Sequence, residues 1–188
     1  MFTDIFEESV PPLTPFHGGF GLVNFSGIKK PAFFACKFLN QLGQSELKNA
    51  DAHSWGCRDD QGGAQILVWD LTHPIGGTNA NNVYFRQPHP AVDKGAAKIK
   101  LTGVPLGNYE LQLWRVGYHH NDAYTAYLEM GAPPQLTRAQ EIVLRDASQG
   151  KPESSRQIKI KATGEFTDTL PLPENEVVLL KIVPVRAR

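Results

Sequence analysis

Tyr109-Glu110-Leu111-Gln112-Leu113-Trp114-Arg115-Val116 is the stretch on which the fold turns. Tyr109, Leu111 and Leu113 fall on one face, and Trp114 falls on the other. This is the period-two alternation of a strand with one buried side. Upstream, Lys98-Ile99-Lys100-Leu101 alternates in the same way, and Pro105-Leu106-Gly107-Asn108 between the two segments is turn chemistry. Gln65 to Leu71 is apolar almost throughout, as a central strand is, and Gly62-Gly63 turns the chain before it. Ala52 to Arg58 and Val83 to Arg86 read as further strands, the latter after a polar loop from Thr72 to Asn82. Downstream come two helical insertions. One runs from Asp122 to Met130. The other opens on Thr137-Arg138-Ala139-Gln140, a capping-box pattern, with Ile142, Val143 and Leu144 as its apolar side. Strands return at Arg156–Lys161, Gly164–Leu170 and Glu176–Val183. A series of short strands with turn signals between them predicts a mainly β protein built as an antiparallel, jelly-roll-like β-sandwich.

The first 45 residues break that pattern. Residues 1 to 27 are rich in Pro, Gly and Phe and have neither period, so they read as a long ordered loop. Lys30 to Leu42 reads as a helix, with Pro31 in its first turn and Gly43 after its end. Phe34, Phe38 and Leu42 are spaced i, i+4, i+8, and Ala35 and Leu39 widen the same stripe. A loop and one amphipathic helix cannot form a domain alone. The expected organisation is therefore a remnant of a neighbouring domain over 1–45 and a sandwich over 46–188.

Bulk properties narrow the function. The 188 residues are 41% hydrophobic and 20% charged, the balance of a folded soluble chain with a core of its own. Nineteen basic residues offset nineteen acidic ones, which leaves no electrostatic footprint for nucleic acid or an anionic membrane. No apolar run approaches the roughly 18 residues that span a bilayer. The Met1–Glu8 start carries acids where a signal peptide has bases and an apolar stretch, so the expected compartment is cytoplasmic. Cys36 and Cys57 lack metal or redox spacing and read as two buried free thiols. Asn24-Phe25-Ser26 is a glycosylation sequon that matters only in a protein secreted from a eukaryote.

The odd head carries a resemblance. Phe2-Thr3-Asp4-Ile5-Phe6-Glu7-Glu8, then Pro15-Phe16-His17-Gly18-Gly19-Phe20-Gly21-Leu22, then Gly27-Ile28-Lys29-Lys30-Pro31-Ala32-Phe33 resemble the end of the catalytic barrel in family 39 β-xylosidases. Arg115-Val116-Gly117-Tyr118, Asn121 to Leu128 and Leu170 to Val177 resemble the accessory sandwich of the same enzymes. The resemblance implies a (β/α)₈ barrel with a sandwich attached. Residues 2–8 would end its eighth strand, 9–27 would form a loop above the active site, and Lys30–Leu42 would be the eighth helix.

Retaining glycosidases use two carboxyl groups about 5–5.5 Å apart. The resemblance implies glutamates on the fourth and seventh barrel strands, and the chain begins at the eighth, so it is expected to hold no catalytic residue and to be inactive alone. Glu7 and Glu8 resemble residues that hold sugar hydroxyls in the intact enzyme. Being adjacent on a strand, they point to opposite faces and cannot themselves form the catalytic pair. Phe16, His17 and His120 are the residues expected to border the site, and His17 also reads as a brace for its glycine-rich loop. Tyr118-His119-His120-Asn121-Asp122 offers several metal-ligand types, but adjacent histidines diverge on a strand, so no metal and no cofactor is expected. Trp55, Trp69 and Trp114 read as buried, Trp69 most clearly, with Trp114 the best placed of the three for exposure. The expected partners are a xylose-containing oligosaccharide, bound weakly or not at all by this chain alone, and the missing barrel. A second copy of the chain is a further expected partner, because the Phe34–Phe38–Leu42 face needs cover. Two other readings stay open: a free-standing xylan-binding module, which requires an exposed aromatic row, and a small glycosidase with its own site at Glu7 or Glu8.

Overall fold

A computed structural model describes residues 14–16, 21–72 and 87–185. Val83–Arg86 lies outside the described residues. The elements run α1 (Pro31–Leu39), β1 (Ser45–Glu46), β2 (Ser54–Arg58), β3 (Ala64–Trp69), β4 (Ala96–Leu101) and β5 (Gly107–Val116). They continue with α2 (Ala123–Glu129), α3 (Arg138–Asp146), β6 (Ser154–Ile160), β7 (Phe166–Pro171) and β8 (Val177–Pro184). The protein is mainly β with antiparallel pairing, and among the described residues the strands close no barrel. Two compact units can be separated. One comprises Met1–Cys36, His73–Pro90 and Val116–Gly150; the other comprises Lys37–Thr72, Ala91–Arg115 and Lys151–Arg188.

The second unit holds the sheets. Six strands lie in the order β1-β2-β3-β8-β5-β6, and β4 pairs with β7 in a separate two-stranded sheet. Alternate residues of both sheets line one apolar core. Ile66 and Val68 come from β3, Val178, Leu180 and Ile182 from β8, and Tyr109 and Leu111 from β5; across from them stand Ile99, Leu101, Phe166 and Leu170. Each aliphatic side chain buried there contributes about 1.5–3 kcal/mol. Strand β3 is apolar apart from the buried Gln65 because it is central: Leu67 and its neighbour Leu179 are buried as well, on the face away from this core. The register places Leu67 opposite Leu179 and Ile66 opposite Leu180.

Helix α1 is shorter than its periodicity suggests. Phe34 and Phe38 are fully buried, whereas Leu39 and Cys36 are exposed. The two phenylalanines are one helical row; Leu39 lies 100° around the helix from Phe38, and Cys36 lies 200° from Phe34. Only Cys57 is therefore a buried thiol. Gly43 is required for a reason other than capping a helix: a Cβ there would lie 2.2 Å from the Arg58 carbonyl carbon and oxygen.

In the first unit, Phe16, Ile28, Ala123, Tyr127 and Leu144 form a smaller core. Asp122 caps α2 by accepting from the Thr125 N–H at 3.0 Å. Thr137 and Gln140 close the expected capping box on α3. Of the three consecutive apolar residues on α3 only Leu144 is buried, since neighbours on a helix diverge; Ile142 and Val143 face outward. Asn24 is 1% exposed. Its Nδ2 donates to the Pro15 carbonyl at 3.1 Å, and its Oδ1 accepts from the Ile28 N–H at 2.8 Å. The sequon asparagine is thus a turn brace, with no room for a glycan in the folded chain.

Replacing Asn24 with Ala orphans both of those groups and is expected to cost about 2 kcal/mol in urea denaturation. Gly43→Ala forces backbone apart and is expected to cost about 3 kcal/mol by the same measurement; a loss below about 0.5 kcal/mol for either would contradict the packing described.

Candidate functional site

Glu7, Glu8 and His17 lie outside the described residues. Phe16 and His120 fall in the same unit, against or just before α2. The Phe16 ring packs on Tyr127 with centroids 5.0 Å apart and on Tyr124 at 5.7 Å. At 8% exposure its chemistry is that of a core residue. Burial pushes the Tyr127 hydroxyl above its ordinary range, an effect opposed by a hydrogen bond with Thr14; the hydroxyl donates to the Pro133 carbonyl at 3.0 Å.

His120 is half-buried, and its backbone does the structural work. Its carbonyl accepts from the Gly117 N–H at 3.0 Å and its N–H donates to the Gly117 carbonyl at 2.9 Å. The tight turn between them puts His119 in the left-handed region at φ 61°, and Asn121 follows at φ 51°. Asn121 Oδ1 accepts from the Gly150 N–H at 2.7 Å, which joins the two roots of the helical insertion. The His119 imidazole turns to Glu129, 3.2 Å away, and Asp122 is committed to its helix cap. Among the described residues no group of three or more His, Cys, Asp or Glu side chains could hold a metal ion.

Carboxylates do converge in the sheet unit, at a place the sequence reading missed. Arg115, 5% exposed, donates from Nε to Glu153 at 2.9 Å and from Nη1 to Glu176, which is 2% exposed, and also to the Pro171 carbonyl at 3.2 Å. Burial alone would lower the guanidinium pKa, but the bonds to Glu153 and Glu176 outweigh it and the net direction is upward. Glu176 is buried against that cation, and Glu153 gives one oxygen to it from the exposed side. A groove of about 250 Å³ opens between β2, β3 and β4, and Asp51 is the one carboxylate in its lining.

The three tryptophans are distributed differently from expectation. Trp114 lies under the end of α1, edge-on to Phe38 at 6.5 Å and with the Lys37 ammonium 4.9 Å above its ring. Trp55 is the exposed one, at 41%, and Trp69 is half-buried rather than core. The strand pattern places Trp114 opposite Leu111 and Leu113 correctly; that a helix covers this face is a tertiary fact.

The family model for glycosyl hydrolases family 39 matches residues 1–167. The chain belongs to that family. Curated family relatives include a β-xylosidase from Caldicellulosiruptor saccharolyticus, 32% identical over 155 residues, which cover 81% of this chain and 29% of the relative. A second, from Geobacillus stearothermophilus, is 28% identical over 187 residues, covering 98% of this chain and 33% of the relative. Among solved structures, the family 39 enzyme of Xanthomonas axonopodis pv. citri is 40% identical with a TM-score of 0.92 over 98% of this chain and 36% of its own. A monomeric β-xylosidase from Caulobacter crescentus is 37% identical with the same TM-score, over 98% and 37%. The chain thus spans about a third of the length of these relatives, a share consistent with the C-terminal family 39 portion read from the sequence.

Removing one member of a buried ion pair strands the other. Arg115→Ala is therefore expected to lower stability by about 3–5 kcal/mol in urea denaturation. Arg115→Met combined with Glu176→Leu is expected to lose clearly less, and equal losses would contradict the buried-charge account.

Proposed function

We propose that this chain is the non-catalytic C-terminal portion of a retaining β-xylosidase acting on xylo-oligosaccharides, and that alone it does not cleave glycosides. Retaining hydrolysis needs an acid/base and a nucleophile carboxyl facing one bond across about 5–5.5 Å. The observation that carries the proposal is the fate of the converging carboxylates among the described residues: Glu153 and Glu176 are held by Arg115. The share of about a third of the family relatives' length supports the same reading. In the intact enzyme, Glu7 and Glu8 hold sugar hydroxyls by charge-assisted bonds, Phe16, His17 and His120 border that region, and the sandwich braces the barrel or an oligomer.

The pure 188-residue chain, given an aryl β-xyloside, is expected to release aryl alcohol no faster than buffer. Turnover that titrates as one active site per chain and disappears in Glu7→Gln or Glu8→Gln would overturn the proposal.

A further inference from the structure

One corner of the six-stranded sheet carries aromatic rings that the core between the sheets does not use. Trp55 on β2 is 41% exposed although its cross-strand partner Leu67 is buried. Trp69 lies two residues beyond Leu67 on β3, on the same face. It is the diagonal neighbour of Trp55, a spacing that aromatic side chains reach across. The Trp69 N–H donates to the His53 carbonyl at 3.0 Å, which sets His53 opposite it. The imidazole and indole planes differ by only 13°, with centroids 6.4 Å apart, so the rings are offset and nearly parallel. His53 is exposed and Trp69 half-buried.

Two carboxylates, Asp51 and Asp70, lie near His53. Asp51 is held below its ordinary range by hydrogen bonds from Ser54 and from the His53 N–H. Asp70 is lowered chiefly by the Asn175 N–H, with a smaller contribution from Thr72, against a modest opposing effect of burial. Both stay ionised and are acceptors only.

We infer that Trp55, Trp69 and His53 form a sugar-binding subsite that takes the apolar ring face of a pyranose within a neutral oligosaccharide. The C–H face of such a ring lies flat on an indole. The two carboxylates near His53 disfavour an acidic polymer or a phosphate. The sugar class rests on the family reading; the site itself rests on the rings and does not depend on whether the chain cleaves anything.

The test is a titration of the ¹⁵N-labelled chain with xylotetraose, reading the indole N–H signals. Those of Trp55 and Trp69 are expected to move to saturation while that of Trp114, covered by Phe38, stays put. Trp55→Ala, at an exposed position, is expected to weaken binding about tenfold or more. The inference is overturned by an absence of saturable shifts, by equal movement of Trp114, or by wild-type affinity in Trp55→Ala. Concentration-dependent shifts of Trp55 that xylotetraose does not alter would assign the face to a second copy of the chain and equally overturn it. Because turnover and titration are separate readouts, failure of the binding leaves the hydrolase reading standing, and the reverse also holds.

Discussion

Strands β3 and β8 bury apolar side chains on both faces, and the sheet unit is organised by the need to cover them. Ile66, Val68, Val178, Leu180 and Ile182 point into the core shared with β4 and β7, while Leu67 and Leu179 point the other way and are buried too. An antiparallel pair of this kind cannot sit at an edge with one side in water. It is therefore central, with β2 on one side and β5 on the other. The end of α1 meets the second face, where Phe38 covers Trp114 and the Lys181 ammonium donates to Gln41 at 3.2 Å.

The same architecture decides where charge can be buried. Arg115 stands at the end of β5, where the helical insertion leaves the sheet; Glu153 stands where the chain returns, and Glu176 begins the approach to β8. Three ionised groups from distant parts of the sequence meet there, and each satisfies another. In a glycoside hydrolase such a cluster invites a catalytic reading. Both glutamates, however, bond one guanidinium, Glu176 from the buried side and Glu153 from the exposed side.

Much of this was legible in the sequence. The alternation of Tyr109–Val116 and the apolar run in Gln65–Leu71 located β5 and β3, because a strand buried on one side and a strand buried on both leave different patterns. The Thr137–Gln140 box and the Asp122 cap located two short helices, because capping is local chemistry. Burial was harder to read. Cys36, Leu39, Ile142 and Val143 looked buried and are exposed; Trp55 looked buried and is the most exposed indole. Apolar character shows that a side chain prefers cover, and it does not say which neighbour supplies it.

The family and the mainly β, antiparallel fold class were determined by the sequence alone, the former through specific head segments and the latter through short-range periodicity. The tertiary structure alone decided that Arg115 gathers Glu153 and Glu176, that Asn24 braces a turn instead of offering a glycan site, and that Trp55 rather than Trp114 faces solvent. The physical reason is range. Alternation and capping are set by residues a few positions apart, whereas the partner of a buried charge or ring is set by which strands the core brings together.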